Sequence, residues 1–87
     1  MNSQGDPEFW RLYRRLPIHI RRQARAAYAM FAISPYHPSL HFKCVDTEEQ
    51  TYSARVGLHY RVLGTLQGAE ILWFWIGSHS EYDRLLG

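Results

Sequence analysis

The segment Ile71-Leu72-Trp73-Phe74-Trp75-Ile76 constrains this chain more than any other, because it is apolar at consecutive positions. Successive strand side chains point to opposite faces, so a strand of this kind must be covered on both sides. A chain of 87 residues has little material for the task. The rest of the sequence must therefore supply a packing layer for each face of one small sheet, and a dense core must come from large side chains. The 15% aromatic content provides them.

Upstream, the pattern is helical. Asp6-Pro7-Glu8 reads as a helix start, with Asp6 able to cap free amides, Pro7 suited to the first position and Glu8 favoured at the positive end. Phe9, Leu12, Tyr13 and Leu16 follow at helical spacing and leave Arg11, Arg14 and Arg15 on the other side. Pro17 ends this helix and opens a second, in which Ile20, Ala24, Ala27, Tyr28 and Phe31 keep the spacing to about Ile33 and Arg21, Arg22 and Arg25 face outward. The short connection implies a helix hairpin. Met1 to Gly5 is polar and aperiodic, and we expect it to be disordered or at most a short edge segment.

From Leu40 the period changes to that of strands. Leu40–Val45, Thr51–Val56, His59–Leu66 and Glu70–Ile76 are separated by short turns, which predicts an antiparallel meander of four strands. Ser78-His79-Ser80-Glu81 matches a capping box and predicts a short terminal helix through Leu86. The expectation is thus one α+β domain over residues 1–87, a two-helix hairpin packed on a mainly antiparallel, four-stranded twisted sheet.

The single cysteine, Cys44, excludes an intrachain disulfide, and no apolar run approaches the length of a membrane span, so a cytoplasmic protein is expected. Net charge is only +2, but before Asp46 there are seven basic residues against two acidic ones. Nine of the ten basic residues are arginines, whose planar fork suits phosphate and carboxylate. Solvated helix faces explain such charges equally well. His37, His41 and Cys44 have a spacing that could collect zinc, but strand alternation aims His41 and Cys44 to different faces and no fourth ligand is evident. No metal or other cofactor is expected.

Several groups of residues, taken together, resemble the RelE/ParE toxin superfamily: Phe9-Trp10 with Tyr13 and Leu16-Pro17, then Pro38-Ser39-Leu40, then Tyr52-Ser53-Ala54-Arg55-Val56 with Tyr60-Arg61-Val62-Leu63. Trp73-Phe74-Trp75-Ile76-Gly77-Ser78-His79 with Tyr82-Asp83 completes the series, which spans nearly the whole chain. Many relatives begin with a strand that joins the sheet, and Met1–Gly5 is short and polar for that purpose. The resemblance implies the toxin of a toxin–antitoxin pair, with an antitoxin as partner. In its ribonuclease branch it implies ribosome-dependent cleavage of mRNA without a metal, by attack of a 2′-hydroxyl on the neighbouring phosphate. That chemistry needs a proton acceptor, a proton donor and cations for the developing charge.

The same resemblance assigns catalytic roles to Arg55, Arg61, His79 and Tyr82, with both arginines on the scissile phosphate. Their alternatives are structural: an arginine paired with Glu70 or a terminal carboxylate, His79 packed beside Trp75, Tyr82 in the core beside Leu85. The start of a helix disfavours an imidazolium, which suits His79 to the role of base. Some relatives carry a glutamate base near His59, and here His59 either substitutes for it or stands as an exposed edge residue. Lys43, Arg21, Arg22, Arg25 and His59 are the expected contacts to RNA or ribosome. Two other functions share the fold: inhibition of DNA gyrase by protein binding, as in the ParE branch, and a non-catalytic binding module.

Overall fold

A computed structural model describes all residues from Met1 to Gly87. In chain order the elements are β1 (Asn2–Gly5), α1 (Pro7–Arg14), α2 (Ile18–Ile33), a 3-10 turn (Pro38–Leu40), β2 (Lys43–Asp46), β3 (Thr51–Val56), β4 (Tyr60–Gln67), β5 (Glu70–Ser78) and α3 (His79–Leu86). The five strands form one mixed sheet in the order β1-β5-β4-β3-β2. The α+β class and the helix pair are as expected.

The strand count is not. Met1–Gly5, expected to be disordered or at most a short edge segment, supplies the edge strand β1, which runs parallel to β5 with Asn2 opposite Glu70 and Gly5 opposite Trp73. A ladder is made of backbone groups, so a polar segment can join wherever a neighbour leaves an edge open. Beyond the strand, the Asp6 amide still donates to the Trp73 carbonyl at 2.9 Å. Gly5 is required here by close approach, since a Cβ would lie 2.5 Å from the Phe9 ring. The Trp10 indole then donates to the Gly5 carbonyl at 3.1 Å and ties strand to helix.

Asp6 caps α1 as its position suggests, accepting from the Phe9 amide at 2.8 Å. α1 lies over β5 and α2 over β3. Leu40 does not open a strand. Pro38 begins a 3-10 turn in which Leu40 is buried, His41 takes a left-handed conformation (φ 47°), and β2 starts only at Lys43. Proline cannot donate to a ladder, which explains the late start.

A bulge resolves the apolar run of β5. Leu63 pairs with Trp75 and Gly64 with Trp73, so Phe74 is left without a partner opposite it and the alternation shifts. Ile71, Trp73 and Ile76 therefore join the core under the helices with Phe9, Phe31, Ala54, Val56 and Val62. Phe31 anchors that core, with ring centroids 4.9 Å from Phe42 and 5.3 Å from Trp73, both edge-on. Trp75 turns to the other face with Leu63 and Ser53. On the helix side a half-open groove of about 470 Å³ runs beside this core, between α1, α2 and the sheet.

Candidate functional site

The site is assembled on the face of the sheet away from the helix pair. Antiparallel registry places Arg55 of β3 directly opposite Arg61 of β4, and Arg61 opposite Gly77 of β5. Gly77 carries no side chain, and the place a Cβ would take is filled by the Trp75 ring and by Glu81 Oε1, which close this side of the arginine pair. Residues that alternate with Arg55 make the floor: Ser53 is 2% exposed and Leu63 3%.

α3 covers one side of this floor, and its starting point is set by the capping box read from the sequence. The Ser78 amide donates to Glu81 Oε1 at 2.9 Å, and the Glu81 amide to Ser78 Oγ at 3.2 Å. These bonds hold the Glu81 carboxyl below its ordinary pKa, the Ser78 amide first and its hydroxyl second. The His79 amide also donates to the His59 carbonyl at 2.7 Å, which pins the start of the helix to the β3–β4 turn.

One turn on, the buried Tyr82 hydroxyl donates to Ser53 Oγ at 3.1 Å. Its ring lies between two of the other expected residues. The Arg61 guanidinium is 5.9 Å from its centroid, and the His79 ring is near-parallel at 6.2 Å. Arg55, Arg61, His79 and Tyr82 are thus brought together from two strands and one helix.

Electrostatically the group is short of anions. The ion pairs of the molecule are Arg11–Glu8 and His79–Asp83, so neither Arg55 nor Arg61 meets Glu70, a terminal carboxylate or any other. Arg61 donates only to the neighbouring Tyr60 carbonyl, and Arg55 Nε is buried without a partner. Burial pushes the Arg61 pKa below its usual value, the Arg55 charge adds to this, and Tyr82 and Asp83 act in the opposite sense. Two guanidinium groups held side by side with unused donors suit a doubly bonded oxyanion.

The remaining candidates divide. Lys43 pairs with Ser53 and so shares the face of the arginines, exposed on the edge strand. His59 is exposed at the turn beside α3, joined to the site through its backbone carbonyl. Arg21, Arg22 and Arg25 lie on α2, across the sheet from the site, around a smaller hollow with Tyr13 and Ile18. His37 is turned onto its own 3-10 turn, with Nδ1 2.8 Å from Ser39 Oγ. No three His, Cys, Asp or Glu side chains are grouped so as to hold a metal ion.

Two participants escaped sequence reasoning. Asp83 Oδ2 lies 3.3 Å from His79 Nε2, a four-residue helical spacing that was available as a signal. Ser53, two residues before Arg55 on the same strand face, becomes the anchor of Tyr82 only because α3 folds back over β3.

A helix pair on one face of a small five-stranded mixed sheet, with a short terminal helix, is the architecture of the RelE/ParE toxin superfamily. The chain belongs to the ParE-like toxin domain family, whose sequence model matches residues 18–84. It is a toxin of a toxin–antitoxin system. Comparison with curated proteins gives no match. Among solved structures, it is similar to the RelB–RelE antitoxin–toxin complex from Methanococcus jannaschii, at 22% identity and TM-score 0.71, covering 92% of this chain and 95% of that one. It is also similar to the YoeB/ParE toxin from Agrobacterium tumefaciens, at 12% identity and TM-score 0.70, over 91% and 99% of the two chains. The RelBE2 toxin–antitoxin complex from Mycobacterium tuberculosis is similar at 23% identity and TM-score 0.63, over 90% and 96%. At these identities the likeness is one of fold. No helix is long and apolar enough to cross a membrane.

Proposed function

We propose that this toxin is a metal-free endoribonuclease that cuts mRNA on the ribosome and is held inactive by a cognate antitoxin. The observation that carries the reading is the Arg55–Arg61 pair, two arginines on facing positions of paired strands with no ion pair to either, only Asp83 acting on Arg61 at longer range. Such a pair is costly to the fold and is repaid by an anionic ligand. A scissile phosphate fits it.

In this mechanism His79 accepts the 2′-hydroxyl proton as the 2′-oxygen attacks phosphorus. The bond to the 5′-oxygen breaks, leaving a 2′,3′-cyclic phosphate, and the 5′-oxygen is protonated by the second imidazole, His59, or by water. Arg55 and Arg61 hold the non-bridging oxygens as charge develops on them. Asp83 orients the His79 ring. Tyr82, with its hydroxyl committed to Ser53, serves as the platform on which Arg61 and His79 rest rather than as an acid. Lys43 extends the cationic surface on the face of Arg55 and Arg61, and the arginines of α2 form a second cationic surface across the sheet, both for ribosomal and messenger RNA, whose binding depends on phosphate neutralisation.

A second reading is inhibition of DNA gyrase through protein contact, favoured by the match to a ParE-like domain and by the buried, non-reactive Tyr82 hydroxyl. The two separate in one experiment. Expression of the chain in translating cells, with mapping of mRNA ends, should give cuts in phase with codons that disappear in Arg61→Ala. Uncut message together with inhibited supercoiling by the purified chain would overturn the ribonuclease reading in favour of the second.

A further inference from the structure

Trp73 and Ile76 both join the core although they stand three positions apart, which an unbroken strand does not allow. The bulge at Phe74 adds the residue that makes it possible, and it delivers Trp75, opposite Leu63, to the face that carries Arg55 and Arg61. Trp75 is half-buried there and its interactions are incomplete. Trp10 packs edge-on to Phe9 and Tyr13, and Trp73 edge-on to Phe31, whereas no aromatic ring lies against Trp75. Its indole N–H donates to nothing in the protein and is not among the buried groups left without a partner, so it reaches solvent.

The outer end of the Trp75 indole lies over Gly77, where a Cβ would stand, and Glu81 Oε1 is 3.0 Å from the same point. Gly77 is directly opposite Arg61, one strand spacing of about 4.8 Å away. An aromatic ring and a carboxylate therefore flank one spot beside the arginine pair. The carboxylate is only half used: Oε1 accepts from the Ser78 amide, while Oε2 accepts from no donor in the protein. An ionised carboxylate offers acceptors and no donor.

We propose that Trp75 and Glu81 form the subsite for the nucleobase on the 5′ side of the cut, Trp75 by stacking and Glu81 by accepting a hydrogen bond from an exocyclic amine. The inference rests on the ribonuclease reading, in which His79 takes the 2′-hydroxyl proton and so has the ribose of that nucleotide beside it. Gly77 and Glu81 stand two residues before and two after His79, which puts the ring and the carboxylate on the side where its base falls. Unpaired RNA bases are held in this way, by stacking on aromatic side chains and by hydrogen bonds to their edges. A carboxylate suits the N4 amine of cytosine, and uracil presents a carbonyl oxygen in the same place, which the carboxylate repels. The subsite therefore favours cytidine over uridine, and by the same chemistry adenosine over inosine.

The test titrates the intact protein with cytidine 3′-monophosphate, uridine 3′-monophosphate and inorganic phosphate, read by calorimetry. Cytidine 3′-monophosphate should bind about tenfold more tightly than inorganic phosphate, the worth of one stacked base, and several-fold more tightly than the uridine nucleotide. Trp75→Leu should remove the advantage over inorganic phosphate, and Trp75→Phe, which keeps a ring, should retain most of it. In Glu81→Gln the amide oxygen can still accept from the Ser78 amide and the amide nitrogen takes the place of Oε2, so the preference should turn towards uridine. Arg61→Ala should weaken all three ligands alike. Equal affinity for the two nucleotides, or a cytidine preference unchanged by Glu81→Gln, would overturn the proposal. Mapping of mRNA ends with the same variants separates it from the reading on which it rests. Codon-phased cuts indifferent to Trp75→Leu and Glu81→Gln would overturn the subsite and leave the ribonuclease standing, whereas base-selective binding through Trp75 and Glu81 with message left uncut would support the subsite and overturn the ribonuclease.

Discussion

The two arginine-rich regions of this toxin differ in how they are held. Arg55 and Arg61 project from paired strands whose registry is fixed over six residue pairs, with Tyr82 and a buried hydrogen bond behind them. Arg21, Arg22 and Arg25 project from the outward side of a single helix around a small hollow. Position on a sheet constrains two charges to one geometry, at the expense of repulsion between them. A helix surface with space beneath it lets charges adjust to what arrives. The first arrangement suits a reaction centre and the second a binding site.

The largest effects expected from this comparison are on activity. Arg61→Ala and Arg55→Ala should each lower RNA cleavage on ribosomes by about a hundredfold or more, the cost of removing one donor to a developing oxyanion. Single alanine substitutions at Arg21, Arg22 or Arg25 should lower it by less than tenfold, through weaker association that worsens as salt is raised. If the helix arginines proved as costly as the sheet pair, the division of labour would fail.

Stability should move in the opposite direction at the sheet pair. Replacing Arg55 or Arg61 by Gln removes one of two facing like charges, so thermal stability should hold or rise by a few tenths of a kcal/mol. By contrast, Tyr82→Phe leaves the buried Ser53 hydroxyl without its partner and should cost about 1–2 kcal/mol in denaturant melts. A stabilised, inactive Arg61→Gln beside a destabilised Tyr82→Phe would separate the residues that meet substrate from the one that supports them. Loss of stability in Arg61→Gln would show instead that this arginine is structural.

The same contrast explains what could be read from the sequence. Local signals were sufficient for Asp6 and Pro7 at the start of α1, for Ser78 and Glu81 at the start of α3, and for the alternation that sets Arg55 with Ser53. The group of Arg55, Arg61, His79 and Tyr82 was named through the resemblance to the RelE/ParE superfamily, and the chain can bring it together because the turn between β3 and β4 is short and α3 follows β5 directly. What could not be read depends on partners distant in the chain. β1 exists because β5, some seventy residues later, offers an edge, and polar Asn2-Ser3-Gln4 carries no trace of that. The bulge at Phe74 likewise arises from pairing with β4, and the groove beneath α2 from the way two helices rest on the sheet. Tyr28 illustrates the last case: its spacing placed it in the core, yet it is 55% exposed at the rim of the groove.

The smallest effect concerns the cap that sets the position of His79. Ser78→Ala removes the hydroxyl that accepts from the Glu81 amide and should cost about 1 kcal/mol. Its pH dependence has a definite sign. The Glu81 carboxyl is lowered in the folded protein by the Ser78 amide and hydroxyl, so its contribution to stability is complete above the unfolded carboxyl pKa of about 4.3 and is lost as pH falls through the lower folded value. Solvent screens this exposed group, so the contribution is small. Glu81→Gln should therefore flatten the acid limb of the stability curve slightly below about pH 4.5 and leave stability near neutrality almost unchanged, because a glutamine can also accept from the Ser78 amide. Since the same cap fixes His79 against the β3–β4 turn, Ser78→Ala should lower cleavage several-fold more than its stability cost alone would, whereas a variant equally destabilised in α1, Asp6→Ala, should not. Equal activity in the two variants would show that the start of α3 need not be held for the reaction.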